Sequence, residues 1–154
     1  MRRKPSFAAT VVVASVFGLT CFAAYGQAGA ESTVQIIKQQ APKGITTTFY
    51  SCTEKAGSDH IAQSACLSAE KKAQNDRLNS VYKIVLGKLN KDDKESLVSA
   101  ERTWLELHKK SEEFEESLYG SDPVASSSVA LNEIFRICER ANTLDNYAYI
   151  AGIR

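Results

Sequence analysis

The stretch from Asn75 to Trp104 constrains the fold more than any other part of the chain, because it carries two stripes of residues at helical spacing. The members of the first stripe are Leu78, Val81, Tyr82, Val85, Leu86 and Leu89. The members of the second are Leu97, Glu101, Trp104 and His108. Residues three and four positions apart lie on the same side of an α-helix. The pattern predicts two antiparallel helices packed around Tyr82 and Trp104, with Leu78 and Leu97 as further core residues.

Polar residues mark where each of these helices begins. Ser58 or Asp59 is suited to cap a first helix that starts near His60 and runs toward Leu89. For the second helix, Asp92 followed three residues later by an acidic residue has capping-box spacing, which predicts a start close to that aspartate.

The second helix also carries Arg102 and Glu106 four residues apart. Opposite charges at this spacing are neighbours on a helix surface and predict an ordinary ion pair, although the order of the two charges is the less favourable one.

The first thirty residues have the features of a secretory signal peptide. Positive charges at positions 2–4 precede an uncharged apolar run from Phe7 to Tyr25, and Ala28-Gly29-Ala30 resembles a cleavage site. We therefore expect removal of residues 1–30 and a periplasmic or secreted mature chain. The alternatives are retention of the run as a membrane anchor and lipidation of Cys21, whose preceding residues fit a lipoprotein signal poorly.

Cleavage near Ala30 changes the charge balance of the chain. Residues 31–154 contain 16 Lys and Arg against 18 Asp and Glu, a net charge of −2. This value excludes a generally cationic surface for binding nucleic acid. It is compatible with a basic protein partner attracted by electrostatic steering.

Three cysteines remain after cleavage. Cys52 and Cys66 are close in sequence, and disulfides form and persist in the oxidising compartment that export implies, so we expect these two to be bonded. Cys138 is then the odd thiol, and its apolar helical neighbours indicate a small buried residue; a reactive or intermolecular thiol is the alternative.

The two ends of the mature chain are less clearly patterned. Residues 31–51 contain a turn signal and the strand-like segment Ile45–Tyr50, which predicts an extended arm. Toward the C-terminus, Gly120 is suited to end the second helix, and a loop from Tyr119 to Ser128 should lead into a last helix over 129–150. The sequence therefore predicts an all-α domain over 52–154, a small antiparallel bundle of three to four helices with a disulfide-tethered N-terminal segment.

No recognisable catalytic, metal-binding or phosphate-binding motif occurs in the sequence. The only histidines, His60 and His108, are far apart and have no metal-ligand spacing. We therefore expect no enzyme activity, no cofactor and no metal.

The acidic cluster Glu112, Glu113, Glu115 and Glu116 is the most distinctive charged feature. Adjacent carboxylates on one helix end do not provide the separated acid and base that glycoside hydrolysis needs. Two interpretations remain, a solvated helix face and a docking patch for a cationic protein.

Short motifs in this chain resemble those of the LprI-like domain, a family of exported, helical, cysteine-bearing bacterial proteins named for a lysozyme inhibitor. The resemblance is carried by the cysteine pair, by Leu78-Asn79-x-x-Tyr82 and by Glu101-Arg102-x-Trp104, and it covers 52–144. The family pattern reads D-x-x-L-N-x-x-Y and Q-R-x-W, followed by a third and a fourth cysteine.

This chain departs from the family pattern at three positions. Asn75 stands at the acidic position, Glu101 replaces the glutamine, and Glu112 lies near the place of the missing third cysteine. The resemblance implies that Cys138 is the fourth cysteine, left without its bonding partner.

The resemblance also implies an inhibitor of lysozyme-type peptidoglycan hydrolases that acts by binding a cationic lysozyme or another cell-wall hydrolase and blocking its cleft. An immunity or accessory protein for a different cell-wall toxin or hydrolase and a structural envelope-stress protein are the alternatives. The residues expected to contact the partner are Glu112, Glu113, Glu115, Glu116, Tyr119, Ser121 and Asp122.

Overall fold

The computed structural model describes residues 32–119 and 122–152, and these ranges contain five α-helices. The helices are α1 (Thr33–Gln40), α2 (Thr47–Ala56), α3 (His60–Lys88), α4 (Lys91–Tyr119) and α5 (Pro123–Ile150). The predicted signal peptide with Cys21, the predicted cap Gly120, the predicted contact residue Ser121 and the side chain of Tyr119 lie outside the described residues. No helix in the described ranges is long and apolar enough to cross a membrane.

The three long helices run up, down and up. Ion pairs of Lys71 with Glu133 and of Arg77 with Asp145 advance together along α3 and α5, so these helices are parallel. The contacts between α4 and α5 run in opposite order along the two helices. Glu101 of α4 contacts Arg140 of α5, whereas His108, further along α4, contacts Glu133, which comes earlier in α5, so these two helices are antiparallel. The all-α bundle expected from the sequence is confirmed, although with five helices instead of three to four.

The centre of the bundle is α5. Six of its side chains are almost completely withdrawn from solvent: Ile134, Ile137, Cys138, Ala141, Leu144 and Ala148. Both α3 and α4 pack on this helix, and their contacts with it far exceed those between them. The predicted α3–α4 hairpin therefore exists, but the element that holds it together is α5.

The core residues predicted from the sequence lie where the helices meet α5. Leu78 and Leu97 are buried in a cluster with Ile137 and Leu144, whereas Tyr82 and Trp104 are half-buried and pack against the edge of that cluster. The two aromatic rings therefore flank the core and do not form its centre.

The prediction of an extended N-terminal arm was wrong, because residues 33–40 and 47–56 are helical. Thr46 caps α2 by accepting a hydrogen bond from the backbone N–H of Phe49 (3.0 Å). Ile45, Phe49 and Thr53 recur every four residues and are all buried, so packing of one helical face outweighs the strand-like residue types.

The segment between α1 and α2 is clamped by side chains of α3 and α5. The buried carboxylate of Glu70 accepts hydrogen bonds from both the backbone N–H (3.0 Å) and the hydroxyl of Thr46. Gln74 donates a hydrogen bond to the backbone carbonyl of Gly44 (2.9 Å), and Asn142 donates one to the backbone carbonyl of Lys43 (2.7 Å). These bonds satisfy backbone groups of a segment that has no regular structure of its own.

A disulfide between Cys52 and Cys66 joins α2 to α3, with a Cα–Cα distance of 5.7 Å, and confirms the predicted pairing. Cys138 is a free thiol with no exposed surface. Burial raises the pKa of this thiol, opposed by the guanidinium of Arg77 whose Nη1 lies 3.7 Å from the sulfur. Cys138 is therefore a buried small residue, as expected.

The helix starts differ from prediction in two places. Asn90, and not Asp92, caps α4, since its side-chain oxygen accepts from the N–H of Asp93 (2.9 Å). Likewise, α5 begins at Pro123 and includes the serines assigned to a loop, because Asp122 accepts from the N–H of Ala125 (3.0 Å). An aspartate cap followed by proline at the first helical position is a strong helix start.

Replacing Cys52 and Cys66 together with serine should lower the free energy of unfolding by about 3 kcal/mol, because the cross-link restricts the unfolded chain. Urea unfolding under non-reducing conditions measures the change. Cys138→Ala serves as the control and should cost only about 1 kcal/mol. Equal losses for the double variant and the control would contradict this assignment of the bond.

Gly44→Ala should destabilise the protein by about 1–2 kcal/mol, because the backbone there has φ of +114° and an added Cβ would lie 2.6 Å from Arg77 Nη1. Gly87→Ala, exposed in the last turn of α3 with no atom within 4 Å of the new Cβ, should instead stabilise by up to about 1 kcal/mol. Thermal unfolding of both variants shows whether the first loses stability and the second gains it. An unchanged or raised melting temperature for Gly44→Ala would contradict the close packing described for the segment between α1 and α2.

Candidate partner-binding surface

The contact between α4 and α5 is unusually rich in charged groups. Glu101 is buried, and its Oε2 accepts a hydrogen bond from Nε of Arg140 (2.7 Å). Nη2 of the same guanidinium lies 2.6 Å from that oxygen. Such two-point contacts between a guanidinium and a carboxylate fix the relative position of the two helices. Glu101, which stands where the family pattern has glutamine, therefore has a structural partner in α5.

Trp104 is held in place by two neighbours. Its ring stacks on that of His108 with centroids 5.0 Å apart, and the guanidinium carbon of Arg140 lies 5.8 Å from the indole centroid. The second contact has the geometry of a weak cation–π interaction. The half-buried indole is therefore positioned by polar groups as well as by the apolar core.

Glu133 connects all three long helices. This buried carboxylate of α5 lies 2.6 Å from Nζ of Lys71 in α3 and 3.6 Å from Nε2 of His108 in α4. The pair with Lys71 favours one register of α3 on α5, since a shift along either axis would leave the buried carboxylate unpaired.

Near its C-terminal end, α4 contacts α5 through Glu115. Its Oε1 accepts from Nη1 of Arg136, and both side chains are largely buried. The remaining polar atoms of Arg136, Nε and Nη2, are buried without a hydrogen-bond partner in the described part of the chain. Glu115 was expected to face a partner protein, but here it is engaged within the bundle.

Apart from this contact, one side of the C-terminal half of α4 is open to solvent. Phe114 and Leu118 are each 62% exposed, and Leu107, which lies two turns before Phe114, is 63% exposed. These three residues, called here the apolar stripe, share one side of α4 because they are spaced by seven and four residues. Large apolar side chains left exposed in a row are typical of a protein-interaction surface.

The predicted acidic residues occupy another side of the same turns. Glu113 and Glu116 are exposed and three residues apart, and Glu112 is half-buried one turn before Glu116. Lys109 pairs with Glu113 at 3.6 Å, whereas Glu112 and Glu116 have no ion-pair partner among the described residues. Since successive helical residues are rotated by about 100°, Glu116 points roughly away from Phe114.

The remaining predicted contact residue in the described ranges is Asp122. It lies directly before α5 and is exposed, but its side chain also caps that helix. The long loop expected from Tyr119 to Ser128 was wrong, because α4 continues to Tyr119 and α5 already begins at Pro123.

Sequence reasoning missed the arginines that hold α4. Arg136 and Arg140 are four residues apart and lie in an apolar helix, next to the fully buried Ile137 and Ala141. Basic residues next to a buried helical face indicate that their charges pair with acidic residues of an adjacent helix. Here the acidic partners lie on α4. This pattern was the one available signal that Glu101 and Glu115 were not free.

Among the described residues, no group of three or more His, Cys, Asp and Glu side chains could hold a metal ion. His60 and His108 belong to different parts of the bundle, His60 being exposed at the start of α3 and His108 half-buried against Glu133.

Glu115→Gln should lower the free energy of unfolding by about 1–3 kcal/mol, because it leaves the charge of Arg136 largely buried and unpaired. Glu116→Gln, one residue along and exposed, should change it by less than about 0.5 kcal/mol. Chemical unfolding of the two variants gives the comparison, and equal effects would show that Glu115 does not anchor α4.

Comparison of the chain with known protein families matches residues 52–144 to the family described as Lysozyme inhibitor LprI, which confirms the resemblance seen in the sequence. The match extends from within α2 across all of α3 and α4 into the last turns of α5, more than half of the chain. No curated protein and no solved structure matches the chain. The chain belongs to the LprI family of lysozyme inhibitors.

Proposed function

We propose that this protein is an exported inhibitor that binds a lysozyme-type peptidoglycan hydrolase and blocks its active-site cleft with the C-terminal end of α4. Membership of the LprI family supports the class of partner. The observation that carries the choice of surface is the exposed apolar stripe of Leu107, Phe114 and Leu118.

A helix end that enters a cleft contacts it on more than one side. The end of α4 offers the apolar stripe on one side and the carboxylates of Glu113 and Glu116 on another. A few side chains that a partner fully desolvates supply most of the binding energy at protein interfaces, and aromatic residues are enriched at such interfaces. Phe114 is the aromatic candidate for this role.

Charge supports a cationic partner. The mature chain has a net charge of −2, and Glu112 and Glu116 have no ion-pair partner among the described residues. Exposed charges of one sign mainly raise the association rate with an oppositely charged partner and fix its orientation. Binding should therefore weaken as ionic strength rises.

The inhibitor needs no chemistry of its own in this mechanism. The rigid attachment of α4 through Glu101, His108 and Glu115 fixes the helix before binding, so little conformational entropy is lost when its exposed end docks. The catalytic carboxylates of the hydrolase would then be shielded from the glycan strand by the inserted helix end.

Purified residues 31–154, with the disulfide formed, should inhibit a cationic lysozyme in a turbidity assay on bacterial cell walls and bind it in calorimetry. Phe114→Ala with Leu118→Ala should weaken binding at least tenfold, since each truncation removes about 1–2 kcal/mol of buried apolar contact.

Ile61→Ala is the matched control, because Ile61 is 84% exposed on α3, a different helix. It should inhibit like the parent protein. Unchanged lysozyme activity at excess protein, together with no heat of binding, would refute the proposed function. Equal loss in the control and the double variant would refute the choice of surface.

A further inference from the structure

The motif residues that carry the family resemblance surround a groove between α3 and α4. Because both helices pack mainly on α5, a space of about 330 Å³ remains open between them, lined from α3 by Asn79 and Tyr82 and from α4 by Arg102 and Trp104. The end of α4 assigned above to a hydrolase is not part of this groove.

Two polar side chains on the groove walls are unengaged. Asn79 and Arg102 are exposed, and neither has a hydrogen-bond or ion-pair partner among the described residues. The expected pair of Arg102 with Glu106 is not formed, because Glu106 binds Lys110 instead (2.9 Å). A guanidinium without an internal partner is suited to hold a carboxylate through two parallel hydrogen bonds.

The other charged residue of the groove, Glu101, does not neutralise Arg102. Glu101 also lines the groove, but its carboxylate is held by Arg140 in two contacts of 2.6–2.7 Å. The groove therefore presents one neutralised acid and one uncompensated base, a local charge that favours an anionic ligand although the mature chain as a whole is acidic.

The apolar part of the groove is rigid. Tyr82 and Trp104 are half-buried against the core, and Trp104 is fixed further by the ring of His108 and the guanidinium of Arg140. Aromatic side chains combined with a few convergent polar groups are typical of small-molecule sites. Amide and guanidinium groups on either side of aromatic rings suit a sugar, which has apolar ring faces and polar edges.

The length of the groove limits the size of its ligand. On α4 it extends from Val98 to Leu105, about 10 Å at the helical rise, and on α3 only from Leu78 to Tyr82, about 6 Å. A docked helix needs anchor positions over two or more turns on both walls, and α3 supplies about one. One or two pyranose rings fit these dimensions.

We propose that the α3–α4 groove binds an acidic pyranose, with the sugar carboxylate on Arg102, an amide or hydroxyl group on Asn79 and the ring against Tyr82 and Trp104. This site is separate from the proposed hydrolase-binding surface and does not rest on it. It would attach the protein to carboxylated glycans while leaving the end of α4 free.

Trp104 is the only tryptophan of the chain, so its fluorescence reports on the groove directly. The probe is N-acetylmuramic acid, and N-acetylglucosamine, which lacks the carboxylate, is the neutral comparison. We expect a saturable fluorescence change with the acidic sugar and at least tenfold weaker binding of the neutral one.

Arg102→Gln should reduce the affinity for the acidic sugar at least tenfold, to the value for the neutral sugar. The affinity for the neutral sugar should stay unchanged. Lys109→Gln removes one positive charge from an exposed position on the same helix and should have no effect. Circular dichroism checks that both variants remain folded, as the exposure of both side chains leads us to expect.

Three results would overturn the proposal: no saturable change with the acidic sugar, equal affinity for the two sugars, or equal affinity in the Arg102→Gln variant. Tighter binding of N-acetylaspartate than of the sugar would assign the groove to acidic peptides and would also overturn it. The Phe114→Ala, Leu118→Ala protein should keep full sugar binding, and Arg102→Gln should keep lysozyme inhibition, so failure of one proposal is distinguishable from failure of the other.

Discussion

The burial of α5 between α3 and α4 is the interaction on which the rest of the structure depends. Ile134, Ala141, Leu144 and Ala148 have no exposed surface, and side chains of both neighbouring helices complete the core around them. Since the burial of apolar surface is the main stabilising term, the positions of α3 and α4 follow from their contacts with α5 and not from contacts with each other. This leaves both an open groove between them and a free end on α4.

The charged contacts of α4 have a different role from that of the core. Buried ion pairs contribute little net stability compared with apolar residues of similar size, but breaking one is costly because a charge is left unpaired. The ion pairs made by Glu101 and Glu115 therefore fix the register of α4 on α5. A helix attached in this way keeps its outer sides available, including the apolar stripe that would be buried in a larger bundle.

Several local signals in the sequence gave correct predictions, although the cap of α4 is Asn90 and not the predicted Asp92. The Asp59 cap, the extent of α3 and the Cys52–Cys66 bond are among the correct predictions. Within the strand-like segment Ile45–Tyr50, the helical state from Thr47 onward was not predictable from residue types, because it depends on the Glu70 carboxylate that holds Thr46 and on burial of Phe49. Periodicity also shows which residues share a side but not what covers that side, so the exposure of Phe114 and Leu118 and the engagement of Glu115 required the structure.

The end of α4 is the part of the molecule that we propose binds a hydrolase. Hydrogen-exchange mass spectrometry of the mature protein, alone and with excess cationic lysozyme, tests this most directly, because amides near a helix end exchange readily unless they are covered. We expect slower exchange in peptides that span 107–118 and unchanged exchange in α1 and α2. Protection confined to α1 and α2, or no protection anywhere, would contradict the account.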